Sequence, residues 1–558
     1  MDRNFFLAMV LSLLVLIVWS TWQADRVPPP SPPGDDIAGP EFPGPPPPGA
    51  TPAVEGEEPA PLQPPPPPPL APAAESARER QVTVSTSLYE ARLTSFGGSL
   101  AHWELQRYVD KSLPGDPRVV LTTTDGPGQA ELATPFLELG LGDLSRAPYT
   151  VEQPDPLTVV FARRQGKVTI RKTYRFEAES YGFRLAIEVE NGSERSVLPT
   201  FEVHWLASAR SEPDFTDQGL VALHEGELER TTLASLGKGS FLGGSGSADP
   251  KVFAGGVDWA GAELRYFLSA LIPEVPRECS ATFTPIEPGA SGKVAVAYRP
   301  IEVPPGRSAV REYRAYLGPK VPEVLEALGV GLERSIGQGW AWVAPLSRFF
   351  SWLLHLCHAV IPNYGVAIIV LTILVRVAMA PLTAKQMRSM RRMGEVQPRT
   401  REIQEKYKDD KQRQSQEMMK LYRETGVNPL GGCLPMLLQF PVFIGLYYAL
   451  QSSIDLRQAP FVAWIDDLSR PETLFMIPGI VIPVRVLPLV MGVSMILQQR
   501  MTPTTMDPQQ ARMMMTVMPV MFTVLFYQFP SGLVLYWMVS NLLAIGHQVL
   551  INRQKVPA

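Results

Sequence analysis

The sequence predicts a polytopic α-helical membrane protein of six transmembrane helices, with a large antiparallel β-sandwich between the first helix and the second. Three observations predict it. Uncharged apolar runs recur at the amino terminus and through the carboxy-terminal third. A stretch of about 240 residues between them alternates apolar and polar side chains with period two. A proline-dense segment separates the first run from that stretch, holding 21 of the 57 prolines between Pro28 and Pro72. The near balance of 51 basic and 55 acidic residues excludes a dedicated nucleic-acid binder. Three cysteines, Cys279, Cys357 and Cys433, exclude a disulfide scaffold and any CxxC zinc site.

The first helix is read at residues 1–22, where Phe5 to Trp22 carries no charge over 18 residues. That length crosses about 27 Å as a helix. A cleaved signal peptide is the rival reading, but the run lacks a small-x-small site and ends in Trp19 and Trp22, which suit an interface anchor. Residues 23–80 form a proline-rich linker with six consecutive prolines, Pro64 to Pro69. Without N–H groups these cannot build helix or sheet core, so the segment is an extended tether.

Residues 81–320 read as the β domain. In KVTIRKTYRF, the side chains of Val168, Ile170, Lys172, Tyr174 and Phe176 share one face; in FRLAIEVE, Phe183, Leu185, Ile187 and Val189 do the same. Gln165-Gly166 and Asn191-Gly192 supply turns. Residues 321–358 turn aromatic and amphipathic and are expected to lie on the bilayer surface. Residues 359–553 follow as a core of five spans. These are Ala359 to Pro381, Leu430 to Gln451, Val486 to about Arg500, Met513 to Phe529 and Gly532 to Ile551. Phe475 to Val484 is apolar but too short to cross and reads as an interfacial hairpin.

Charge sets the expected topology. The segment 382–428, read as a helical hairpin turning at Gly394 to Pro398, holds 12 basic and 7 acidic residues and is placed in the cytoplasm. Parity then puts both termini inside and the linker and β domain outside. Met387, Met390 and Met393 repeat along the hairpin, where thioethers could meet apolar segments of varied shape; packing within the hairpin is the plainer alternative.

Arg376 is the residue that most needs explaining. It sits five residues before Pro381 inside an apolar span. A guanidinium in hydrocarbon costs about 2.5–3.5 kcal/mol even on the lenient insertion scale, and it stays charged. Two readings are open: snorkelling to headgroups at the inner surface, or a water-filled recess open to the cytoplasm. No span carries an Asp or Glu to pair with it. Thr372, four residues earlier, extends the same face. Gln439, Phe440 and Phe443, then Gln498 and Gln499, then Tyr536, Trp537 and Asn541 are candidates to line such a recess; for each aromatic, helix packing is the alternative. There is no P-loop and no HExxH, so neither ATP nor a metal is called for, and no cofactor is expected. His355 and His358 have no carboxylate near them in sequence. The Gly243 to Gly246 string reads as a flexible loop, and Asp466-Asp467 fall in an outer loop. Nothing points to an enzyme.

Four stretches carry a resemblance: NPLGGCLPMLLQFPVFIGLYYAL (Asn428 to Leu450), LRQAPFVAWIDDLS (Leu456 to Ser469), MPVMFTVLF (Met518 to Phe526) and FPSGLVLYWMVSN (Phe529 to Asn541). They closely resemble the YidC membrane protein insertases, and DDKQRQSQEMMKLY (Asp409 to Tyr422) is similar to that family's cytoplasmic hairpin. The first helix and outer domain resemble the long form of Gram-negative-type inner membranes, whose periplasmic domain is a β-supersandwich similar to sugar-binding folds. The resemblance implies an insertase that moves hydrophobic segments of nascent membrane proteins into the inner membrane, alone or beside the Sec translocon. It also implies that Arg376 is the groove arginine, with Thr372, Phe440, Phe443, Tyr536 and Trp537 at groove positions. Trp537 stands where some relatives have Tyr. Only Asn552 to Ala558 follows the last span, where some relatives carry a long basic tail that contacts ribosomes, so the implied ribosome contact is weakened. The alternatives are a transporter or channel, for which the sequence shows no internal repeat, and a carbohydrate-processing outer domain.

Overall fold

Period-two patterning builds the amino-terminal half. The structure is a computed structural model describing residues 79–111, 115–122, 131–210, 218–237, 249–340, 342–426, 434–477, 483–501 and 508–553. The expected first helix, the linker and the Gly243 to Gly246 loop lie outside the described residues. Strands β1 (Gln81–Ser85), β2 (Tyr89–Thr94), β3 (Ser99–Val109) and β4 (Arg118–Val120) form one sheet in sequence order. Next come β5 (Thr150–Asp155), β6 (Thr158–Gln165), β7 (Val168–Phe176), β8 (Gly182–Asn191) and β9 (Val203–Ser208). They are followed by β10 (Gly219–His224), β11 (Glu227–Thr232), β12 (Lys251–Phe253), β13 (Val257–Glu263) and β14 (Phe267–Pro273). The last are β15 (Cys279–Glu287), β16 (Ser291–Tyr298) and β17 (Arg307–Pro319). A nine-stranded sheet runs β11-β10-β13-β14-β17-β8-β7-β6-β5, and a four-stranded one runs β12-β15-β16-β9.

The faces fall as the alternation requires. Val168, Ile170, Tyr174 and Phe176 are buried, as are Phe183, Leu185, Ile187 and Val189. Trp103 of β3 stacks on Tyr89 at 4.0 Å and meets Phe183 at 5.8 Å, which joins the first sheet to the nine-stranded one. Lys172 follows the same register and is fully buried. Its ammonium donates to the Gly97 and Leu132 carbonyls, each at 2.9 Å, and Tyr174 donates to Gly98 O at 2.7 Å. The Gly97-Gly98 turn is thereby pinned to the large sheet. Both glycines have positive φ, and a Cβ on Gly98 would come 2.9 Å from Phe161 Cβ.

The stretch expected on the bilayer surface divides. Helix α1 (Pro322–Ala327) and the 3-10 turn Leu332–Ser335 pack on the β domain, where Leu325, Leu332 and Ile336 join its core. Their apolar face meets a sheet rather than a bilayer. Lys320 also anchors this return to Glu263 at 2.8 Å. Only α2 (Ala344–Val360) keeps an exposed apolar stripe, through Phe349, Trp352, Leu356 and Val360.

Helix α3 (Tyr364–Lys406) starts at Tyr364 rather than Ala359, because Pro362 breaks the chain and the Asn363 side chain caps Val366 N at 3.0 Å. It runs 43 residues, about 65 Å. It passes through Gly394 and Pro398, where the sequence suggested a turn. The hairpin closes instead at Tyr407 to Asp410, and Asp410 caps α4 (Lys411–Glu424) by accepting from Arg413 N. An apolar seam of Val396, Ile403 and Leu421 holds the long helix across its weak point. Helices α5 (Leu434–Ser452), α6 (Val486–Met501), α7 (Pro508–Phe526) and α8 (Ser531–Arg553) complete the fold. By length and composition, Tyr364–Ala384 and Ser531–Leu550 are apolar enough to cross a membrane; Val486–Met501 and Met515–Phe526 are shorter apolar helices. Within the Phe475 to Val484 stretch, β18 (Phe475–Met476) pairs antiparallel with β19 (Pro483–Val484).

One loop, Ser453 to Arg470, fastens these parts together. Ile454 enters the β-domain core, and Arg457 and Gln458 donate to Val109 O at the end of β3. Asn363 donates to Phe461 O at 3.0 Å, and a Cβ on Gly365 would clash with the Phe461 ring at 2.0 Å. The N–H groups of Ser531 and Gly532 donate to Arg470 O and Leu468 O, which satisfies the open end of α8. Asp467 accepts from Gln458 N and Ser469, so that carboxylate is structural. His355 does have a carboxylate partner, contrary to the sequence reading: Asp455, 100 residues later, lies 2.8 Å away. That hydrogen bond holds the imidazole's pKa above its ordinary value.

Burial pushes the Lys172 ammonium down to about 7. The unfolded chain, with an ordinary lysine near 10.4, binds the extra proton between those values. Stability of the β domain is therefore expected to rise as pH increases from about 7 toward 10. Denaturant midpoints of the detergent-solubilised protein across that range check this, and Lys172→Met should flatten the rise.

Candidate groove

The polar centre of the helical half is built where α3 packs against α8. Arg376 is half-buried on α3, and its Nε donates to Ser540 Oγ at 2.8 Å, with Nη2 donating to the same oxygen. Ser540 is itself buried on α8. A guanidinium carries five N–H donors; one hydroxyl engages two groups of the fork. No ion pair involves Arg376 among the described residues, and none of its nitrogens is both sealed from solvent and without a partner. Its Nη1 makes no hydrogen bond among the described residues. A charged group held by one neutral acceptor keeps most of its capacity to bind an anion or a polar chain.

Tyr536, one turn before Ser540, is buried beside Arg376, Ser540 and Gln439. Gln439 brings α5 into the same group. Beyond it lies an aromatic wall: Phe443 meets Trp537 edge to face at 4.6 Å, and Trp537 contacts Phe526 at 5.0 Å and Phe522 at 6.1 Å. Trp537 thereby ties α5, α7 and α8 together, so its packing role is firm. Phe440, 43% exposed, points outward.

Two expected members behave differently. Thr372 is fully buried and its hydroxyl donates to Ile368 O at 2.6 Å, back into its own helix, so it offers no free polar group to a recess. Gln499 is hydrogen-bonded to none of the Arg376 group, and its Oε1 is buried without a partner. It sits on α6, whose seam with α8 is made by Asn541 donating to Ser494 Oγ at 3.2 Å and Gln548 donating to Met501 O. The side chains of Met387, Met390 and Met393 lie outside the described residues. Ser540 is the member that sequence reasoning missed. Its signal was the four-residue spacing from Tyr536, which puts both on one helix face.

Two family models match the chain: residues 81–353 fit the YidC periplasmic domain, and residues 356–557 fit the family described as 60Kd inner membrane protein. The membrane protein insertase YidC of Pelobacter propionicus is 36% identical over 568 residues, covering 99% of both chains. The chain belongs to the YidC family of membrane protein insertases. The YidC of Syntrophus aciditrophicus is 35% identical over 576 residues, covering 99% of this chain and all of that one. A solved YidC insertase with its first transmembrane domain resolved is 19% identical over 84% of this chain and 91% of its own, with a TM-score of 0.36. Within this chain, the Arg376–Ser540 contact is expected to couple the two helices. In a double-mutant cycle, Ser540→Ala should destabilise the helical half by about 1–3 kcal/mol when Arg376 is present. In an Arg376→Leu background it should cost little, as read by denaturation in detergent.

Proposed function

We propose that this chain is a membrane protein insertase of six spans, with both termini in the cytoplasm and the β domain in the periplasm. It receives hydrophobic segments of newly made proteins in a groove around Arg376 and releases them into the inner membrane. The observation that carries this reading is that, among the described residues, Arg376 is paired with a neutral hydroxyl and with no carboxylate. A carboxylate partner would have discharged the site; Ser540 orients the guanidinium and leaves its charge available.

The mechanism follows from solvation. Water around Arg376 would admit the polar end of an incoming chain into the inner half of the bilayer. Gln439 and Tyr536 add polar contacts, while Phe440 and the Trp537 wall offer apolar surface to the neighbouring segment. That segment then leaves for lipid, gaining about 25 cal/mol per Å² of apolar surface removed from water. Several buried leucines offset the transfer of a short polar tail, so no nucleotide is needed. The partners are nascent membrane proteins, the bilayer and, for larger clients, the Sec translocon. The basic hairpin of α3 and α4, with Met387, Met390 and Met393, would meet clients first, and any ribosome contact would fall to it. The chain performs transfer, not bond chemistry.

Charge reversal tests this. In cells depleted of the native protein, Arg376→Glu is expected to block insertion of single-span clients with acidic outer tails, while Arg376→Lys retains part of it. Protease protection of the tail reads the result; undiminished insertion with Arg376→Glu would remove the groove role.

A further inference from the structure

The outer face of the nine-stranded sheet carries charge that neither the fold nor insertion uses. Arg175 on β7 stands directly opposite Arg184 on β8, and Arg184 stands directly opposite Arg314 on β17. Their neighbours Tyr174, Phe183, Leu185 and Tyr313 are buried in the sandwich, so all three arginines point away from it. Opposed side chains on a sheet have Cβ atoms about 4.5–5.5 Å apart, and like charges there are destabilising. The row beside it on this face carries Glu312, and one row further Arg171 and Glu188, also directly opposed, form an ion pair at 2.6 Å. Arg184 and Arg314 have no ion pair or hydrogen bond among the described residues.

Two of these arginines open onto a cleft of about 700 Å³ between the sheet face and the Gly329 to Arg334 turn. Three guanidinium groups and four carboxylates line it, Glu274 and Glu312 among the latter. A simple anion would meet a net negative lining, and a simple cation would meet the arginine row. A ligand carrying both charges satisfies each. Two adjacent guanidinium forks also offer more donors than the two oxygens of a carboxylate can use, whereas a phosphate's oxygens match them.

We propose that this cleft binds a zwitterionic phosphate ester, with its phosphate on Arg184 and Arg314 and its ammonium toward Glu274 and Glu312. Arg175 adds positive potential beside the phosphate. The same head group could arrive as a free metabolite or on a lipid.

The test uses the full-length protein purified in detergent, with phosphoethanolamine as the probe and inorganic phosphate or ethanolamine alone as its two halves. Calorimetry is expected to show phosphoethanolamine binding about tenfold or more tightly than either half, and thermal unfolding of the β domain should shift upward with it. The double substitution Arg184→Gln with Arg314→Gln should weaken binding about tenfold or more. Its unliganded midpoint should equal or exceed that of the native protein, because the repulsive contact is gone; a merely structural role would lower it. Absence of binding, equal binding by the double variant, or a lowered unliganded midpoint overturns the proposal. Repeating the titration in nanodiscs identifies the source, both results supporting the site. Loss of the signal when phosphatidylethanolamine replaces phosphatidylglycerol, which carries no ammonium, means that the lipid already fills it, and an unchanged signal means a soluble ligand.

Discussion

A guanidinium cannot shed its charge inside a helical bundle, and the helical half of this protein is arranged around that constraint. Arg376 cannot be neutralised by losing a proton, so it must be discharged by a partner or kept in contact with water. The partner present is the Ser540 hydroxyl, which orients the fork and leaves the charge intact. The polar group formed by Tyr536 and Gln439 beside it, and the aromatic wall through Trp537, follow from that choice. Polar side chains gather on the charged side, while rings close the space where α5, α7 and α8 meet.

The two helices that make this contact start from one shared anchor. Both α3 and α8 begin on the Ser453 to Arg470 loop, through Asn363 with Phe461 and through Ser531 with Arg470. From those starts, Arg376 and Ser540 lie about 18 and 14 Å along their axes. The same loop grips the β domain through Ile454, Arg457 and Gln458. The end of the bundle beside the β domain is therefore held together by hydrogen bonds and packing. The opposite end has α3 projecting as a long basic hairpin. In the proposed reading Arg376 would be reached from the side of that hairpin, the side from which an insertase receives chains.

Much of this was legible in the sequence, and the failures have physical causes. Strand faces followed alternation closely enough to place even Lys172 on the core side, although nothing in a pattern foretells that two carbonyls will accept its ammonium. Prolines misled twice, in opposite directions. Pro362, inside an apolar run, ends a helix because Asn363 is there to cap the next one. Pro398, four residues after Gly394 and among charged residues, does not end α3 because the Val396–Leu421 seam holds it. The apolar face of Val321 to Ile336 was assigned to lipid when a sheet was its partner, since periodicity reports that a face is buried and not against what. Arg376 stood out from its cost alone. Ser540 did not, because a serine in an apolar helix is cheap, and only three-dimensional packing shows whose charge it serves. Asp455 was invisible as the partner of His355 for the same reason, 100 residues of chain intervening.

The central claim is that position 376 is wet and reached from the cytoplasmic side. A single cysteine beside it, Gln439→Cys in a chain that keeps Arg376 and whose native cysteines are replaced, can be challenged in sealed vesicles of either orientation with a charged maleimide that does not cross lipid. The account predicts rapid modification when the cytoplasmic face is outward and none when the β domain is outward. Protection from both sides, or reaction only from the β-domain side, would contradict it.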